Sequence, residues 1–109
     1  MPITADDIEY VTDLFEPLGA ITTRKMFGGL MIYADKLVFG LIDSEGTLFL
    51  KAVDDFGERL EAAGGTLFTY EGKNGKTGHM NYRTMPEAAL DDPALAVSWA
   101  QGALDAAHP

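Results

Sequence analysis

With 109 residues and 11.8 kDa, the chain has room for one domain of the usual roughly 100 to 200 residues, which excludes a two-lobed enzyme with an interdomain cleft. Hydrophobic residues make up 47% and charged residues 23%, ordinary globular usage that supports one packed core. The absence of cysteine removes disulfides, thiolate nucleophiles, iron–sulfur clusters and the usual structural zinc sites, and a net charge of −9 disfavours nonspecific binding to DNA.

The start MPITADDIEY has neither a basic nor an apolar leader region, and no apolar run approaches the roughly 18 residues of a membrane span. With no cysteine to oxidise, the expectation is a cytoplasmic protein without a membrane segment. The charge is uneven along the chain. Asp6, Asp7, Glu9, Asp13 and Glu16 precede the first basic residue, Arg24, and Glu87, Asp91, Asp92 and Asp105 follow the last, Arg83. These five and four account for the whole excess of nine, so the stretch from Arg24 to Arg83 is balanced. Acidic helix faces around a neutral centre are the plain reading, and a local basic patch on that centre stays open.

In chain order, Thr4 with Asp7 three residues on resembles a capping box, and Ile8, Val11, Leu14, Phe15 and Leu18 follow at helical spacing. Pro17 and Gly19 predict that the helix fades near Glu16. Arg24 to Ala34 reads as one strand interrupted by Gly28 and Gly29, and Ala34-Asp35-Lys36 turns it into a second, Leu37 to Ile42. After the turn cluster Asp43 to Gly46, Thr47 to Lys51 forms a third strand with Leu48 and Leu50 on one side and Phe49 on the other. Asp54 can cap a second helix that faces inward with Phe56, Leu60 and Ala63, and Gly64-Gly65 ends it. Thr66 to Tyr70 and Thr77 to Thr84, joined around Asn74-Gly75, read as a hairpin in which Met80 and Tyr82 share a face. Pro86 closes that strand. Asp92 with Pro93 opens a last helix with Leu95, Trp99 and Ala103 inward, Ala96, Ala100 and Leu104 beside them, and a loose end at His108-Pro109. The sum is one α+β domain, residues 1–109, with two layers and an antiparallel sheet, in the order helix, three strands, helix, two strands, helix.

Chemistry-bearing patterns are sparse. Two serines and two histidines make a Ser-His-Asp triad an unsatisfying reading. His79 without cysteine or a second ordered histidine reads as a plain strand residue, with no metal expected. Met26-Phe27-Gly28-Gly29 lacks dinucleotide-fingerprint spacing, so its glycines read as allowing a bulge or close packing. Glu71 to Lys76 reads as a hairpin tip. The strand aromatics, including Phe27, Tyr33, Phe39, Phe49, Phe68, Tyr70 and Tyr82, stand among Arg24, Lys25, Lys51 and Arg83. That mixture suits a single-strand nucleic-acid platform, a core, or a sheet face that meets a second subunit. The last two fit an acidic chain better, and Arg24, Lys25, Phe27, Phe49, Lys51, Tyr82 and Arg83 form the candidate interaction surface. An anion site built from Arg24, Lys25, Lys51, Lys73 and Arg83 on the open sheet is the alternative.

Several segments together carry a resemblance. Arg24-Lys25-Met26-Phe27-Gly28-Gly29, Leu41-Ile42, Leu48-Phe49-Leu50-Lys51-Ala52, Phe68-Thr69-Tyr70, Met80-Asn81-Tyr82-Arg83, Pro86-Glu87 and the Trp99-Ala100 helix resemble, in order from about Leu18 to Leu104, the TfoX/Sxy N-terminal domain. The R-x-M-F-G-G start with the later F-L-K strand is the more specific part. The resemblance implies the topology just described and a non-enzymatic role in transcriptional regulation. The named members are bacterial competence regulators, held to act as coactivators alongside the cyclic-AMP receptor protein. Those regulators also carry a helical C-terminal domain without counterpart in these 109 residues, so competence itself transfers by fold analogy alone. The resemblance implies no catalytic residue and no cofactor. The partners expected are a second copy of the chain and a protein of the transcription machinery, with neither direct nucleic-acid binding nor a membrane.

Overall fold

The computed structural model describes residues 4–26, 28–71 and 75–108; Phe27, Lys73, Asn74 and Pro109 lie outside them. At the N-terminus the capping box is formed, with the Thr4 side chain accepting from the Asp7 N–H and the Asp7 carboxylate accepting from the Thr4 N–H at 2.9 Å. It starts helix α1, Ala5–Leu14, and Asp6 and Asp7 in the first turn suit the positive end of the helix dipole. Val11 and Phe15 are fully buried, and Ile8, Leu14 and Leu18 pack at the rim of the same core. Pro17 fits the 3₁₀ turn Glu16–Leu18 that follows, in agreement with the fading expected near Glu16.

Six strands follow within the described residues: β1 Ile21–Met26, β2 Gly29–Ala34, β3 Leu37–Ile42, β4 Leu48–Lys51, β5 Leu67–Glu71 and β6 Thr77–Thr84. They make one antiparallel sheet in the order β1-β2-β3-β4-β6-β5. The first segment therefore differs from the single strand expected over Arg24 to Ala34. The chain reverses there, Met26 pairing with Gly29, because Gly28 sits at φ +75°, which costs a side-chain-bearing residue about 1–2 kcal/mol. Gly29 allows close packing, since a Cβ on it would collide with the Ile42 carbonyl. Asp35 and Lys36, both at positive φ, form the β2–β3 turn, and Asp35 Oδ1 accepts from the Ala20 N–H at 2.9 Å.

The sheet's two faces differ in what covers them. Leu30, Ile32, Ala34, Phe39, Ile42, Leu48 and Leu50 point to the helical layer, where Phe15 meets Phe39 edge to face at 5.1 Å between ring centres. A register irregularity opposite Ile32 and Tyr33, whose partners are Gly40 and Val38, leaves Phe39 as the extra residue and turns it inward. Such a bulge is the standard way to add one side chain to a face without inverting the rest of the strand. Met31, Leu41, Phe49 and Tyr82 cluster separately, with Tyr33, Val38, Phe68 and Met80 around them. The expected split of Leu48 and Leu50 from Phe49, and the shared face of Met80 and Tyr82, are both present.

Helix α2, Asp54–Ala62, departs from expectation at its start: Val53 holds the cap position without a side-chain hydrogen bond, and Asp54 has φ +50°. The Ala52 N–H is still bound to the Asn81 carbonyl at 2.8 Å, so the chain must leave the sheet and turn within two residues, a conformation that aspartate tolerates better than most. Phe56 and Leu60 are buried as expected, but Ala63 is exposed at the C-cap and Gly57 takes the inner position. A short helix, α3 Glu87–Leu90, follows Pro86 before α4, Pro93–Ala107. The Asp92 carboxylate caps α4 by accepting from the Leu95 N–H at 3.2 Å. Leu95 itself is exposed; Ala96, Ala100, Ala103 and Leu104 make the inner face. Small alanines let the helix lie close to the sheet, which moves bulky Trp99 to the rim, where its ring stands 5.9 Å from that of Phe56. The end is not loose at His108, whose Nε2 is 3.0 Å from the Val38 carbonyl oxygen.

Candidate functional site

Strand parity distributes the expected surface residues over both faces. Arg24 is exposed and pairs with Met31, and Lys51 pairs with Tyr82, so both cations stand on the face away from the helices, with Phe49 and Tyr82. Lys25 pairs with Leu30 and Arg83 with Leu50, which puts these two on the helical side. Arg83 is engaged there: Nη1 donates to the Gly65 carbonyl at 3.0 Å and Nη2 lies 3.2 Å from Glu61 Oε2. Of the five cations of the anion-site alternative, the geometry therefore brings Arg24 and Lys51 to the open face and ties Arg83 to the fold.

The open face is concave. Phe49 lies on the floor of a groove of about 440 Å³, and its ring meets Phe68 edge to face at 5.0 Å. Met26 of β1, Met31 of β2, Met80 of β6 and Tyr70 of β5 line the same groove, so the twist of the sheet brings residues from its two edges around one hollow. Its floor is nearly solvent-free although no helix among the described residues lies over it: Leu41 is 4% and Phe49 6% exposed, and Tyr82, packed beside them, is equally buried. Flexible methionines beside aromatic rings give a surface that adapts to varied apolar shapes. Met31, Leu41 and Val38 were absent from the expected surface; alternation with Tyr33, two residues on, could have found Met31, whereas Val38 and Leu41 reach that face only through pairing with Tyr33 and Met31 on either side of the bulge at Phe39.

Burial, and to a lesser degree the charge of a nearby Tyr33 phenolate, pushes the Tyr82 phenol up to about 12. Tyr82 therefore keeps its proton beyond the ordinary phenol range and packs with Met31, Leu41 and Phe49 on the open face. His79 is exposed on β6. Among the described residues no three His, Asp or Glu side chains stand together as metal ligands would, and no helix is long and apolar enough to cross a membrane.

No curated protein is significantly similar to the chain. The family description "TfoX N-terminal domain" matches residues 13–107, which takes in every strand and α2, α3 and α4 of this fold. The chain belongs to the TfoX N-terminal domain family.

Proposed function

We propose that this chain is a non-enzymatic, cytoplasmic regulatory domain that acts in transcriptional regulation through protein–protein contacts, and that it self-associates as a homodimer. The observation that carries the reading is the uncovered, aromatic- and methionine-lined hollow of the sheet, with Phe49 on its floor and Tyr70 and Met26 at its margins. A two-layer domain needs only one apolar sheet face for its own core, and a second one that no helix among the described residues covers suits contact with another protein. Family membership supports the regulatory role. The net charge of −9 and the engagement of Arg83 within the fold argue for protein contacts over direct DNA binding.

Sedimentation of the purified chain with RNA polymerase and with the cyclic-AMP receptor protein, beside DNA alone, tests the reading. Co-sedimentation with either protein and no shift of DNA at low salt is the expected result. A DNA complex without either protein, weakening steeply as salt rises, would overturn it in favour of a nucleic-acid binder. Thermal stabilisation by nucleotides or acidic metabolites, about 2.7 kcal/mol at a hundredfold excess over Kd, would favour the anion-binding module instead.

A further inference from the structure

The two edges of the sheet are defended unequally. Exposed sheet edges pair with other strands unless charge, proline or a covering element prevents it. β1 carries Arg24 and Lys25, both exposed, so two β1 strands side by side would line up four cations along one short ladder. β5, Leu-Phe-Thr-Tyr-Glu, carries no charge before its last residue, and its outermost aromatic, Tyr70, is 47% exposed. Among the described residues no other strand lies beyond it in the sheet.

We propose that β5 is the edge through which two copies of this chain join, in an antiparallel pair centred on Thr69, to make a continuous twelve-stranded sheet. The inference rests on the self-association part of the functional reading and names its interface. The occupant follows from self-complementarity. With Thr69 opposite Thr69 of the second copy, Phe68 of each chain faces Tyr70 of the other, and Leu67 faces Glu71. Aromatic cross-strand pairs of this kind add roughly 0.2–1 kcal/mol each relative to alanine pairs, and the two-fold axis repeats the pair on both sides of Thr69. Phe68 and Tyr70 share the open face and already stand tilted to each other at 6.3 Å within one chain, so the axis brings four rings into one row. The acidic segments before Arg24 and after Arg83 include α1 and α4, which pack on β1, β3 and β4 away from the junction, whereas α2, with Asp54, Asp55, Glu58 and Glu61 against Arg59, packs on β6 beside it and has Glu61 paired with Arg83. The axis runs perpendicular to the sheet, so both hollows open on the same side of the dimer.

Light scattering on the full chain, its Thr69→Lys and Thr69→Glu variants, and an equimolar mixture of the two tests the register directly. Wild type is expected at twice 11.8 kDa and each variant at half the wild-type mass, because like charges directly opposite each other oppose pairing. The mixture is expected to return to the dimer mass, since Lys then faces Glu, and unchanged circular dichroism of both variants excludes misfolding as the cause. A wild-type monomer overturns the proposal. So does a dimer that persists in both Thr69 variants; dissociation by Thr22→Lys on β1 in that case would move the junction to the other edge and leave self-association itself standing.

Discussion

Arg83 Nη2 stands 3.2 Å from the Glu61 carboxylate while Nη1 donates to the Gly65 carbonyl at 3.0 Å, so one side chain on β6 clamps the end of α2. The two halves of the clamp are unequal. Glu61 is 66% exposed in its side chain and Arg83 21%, and an ion pair so open to solvent contributes about 0–1 kcal/mol. A charged donor to a part-buried carbonyl counts for more, about 1.5–3 kcal/mol. Urea denaturation is therefore expected to show Arg83→Met less stable by about 2 kcal/mol and Glu61→Gln by less than about 1 kcal/mol. Equal losses in the two variants would mean that the ion pair, not the carbonyl, holds the helix end.

Tyr82 predicts a loss of stability in alkali. Its phenol is raised from 10.0 to about 12, first by burial and second by Tyr33. The unfolded chain gives up this proton at lower pH than the folded one. The contribution to stability is thus fully present below about pH 10 and is lost as pH rises toward about 12, a change on the order of 2–3 kcal/mol. Tyr82→Phe should be flatter than wild type over that range in denaturation measured against pH. Parallel curves for the two proteins would show that Tyr82 ionises alike folded and unfolded.

Gly102 lies in the middle of α4, where alanine is ordinarily better by about 1 kcal/mol. A Cβ there would stand 2.6 Å from Cε1 of Phe56, and Phe56 is 4% exposed and hemmed in by Trp99. Overpacking costs typically about 1–3 kcal/mol, so Gly102→Ala is expected to lower Tm in spite of its helix propensity. A raised Tm would show that the Phe56 ring yields freely.

Lys36 has φ +71° in the two-residue turn between β2 and β3, after Asp35 at +48°. Asp-Gly is the favoured pair for a tight turn of this kind, and the left-handed region costs an L side chain about 1–2 kcal/mol, partly offset by the greater freedom of glycine when unfolded. Lys36→Gly should raise stability by about 0.5–1 kcal/mol, read from the denaturation midpoint at constant slope. An unchanged or lower midpoint would mean that the turn is held from outside, by the Asp35–Ala20 hydrogen bond for instance.

Much of this architecture is written in local pattern. The Thr4–Asp7 box, the Asp92-Pro93 start of α4 and the alternation of Leu48, Phe49 and Leu50 depend on neighbours within four residues, and each appears in the structure as the spacing implies. The family, too, could be recognised from short segments in order. What was missed locally was the reversal at Gly28, because a glycine between apolar residues suits a bulge and a turn equally well.

Other features had no local source. Pairing of β4 with β6, more than thirty residues later, seats Lys51 against Tyr82 and carries Arg83 to Glu61 and Gly65. The contact of His108 with the Val38 carbonyl joins residues 70 apart. Trp99, which helical spacing would send to the centre, is at the rim because four smaller or slimmer side chains, Ala96, Ala100, Ala103 and Leu104, fill the gap between α4 and the sheet. Sequence by itself determined the fold class, most of the elements in their approximate order and much of which side chains alternate, since those follow from backbone geometry over a few residues. Only the tertiary structure decided that the second sheet face is hollow and uncovered and that β5 is an edge. Strand order and sheet twist are set by contacts between residues far apart in the chain, and local spacing does not encode them.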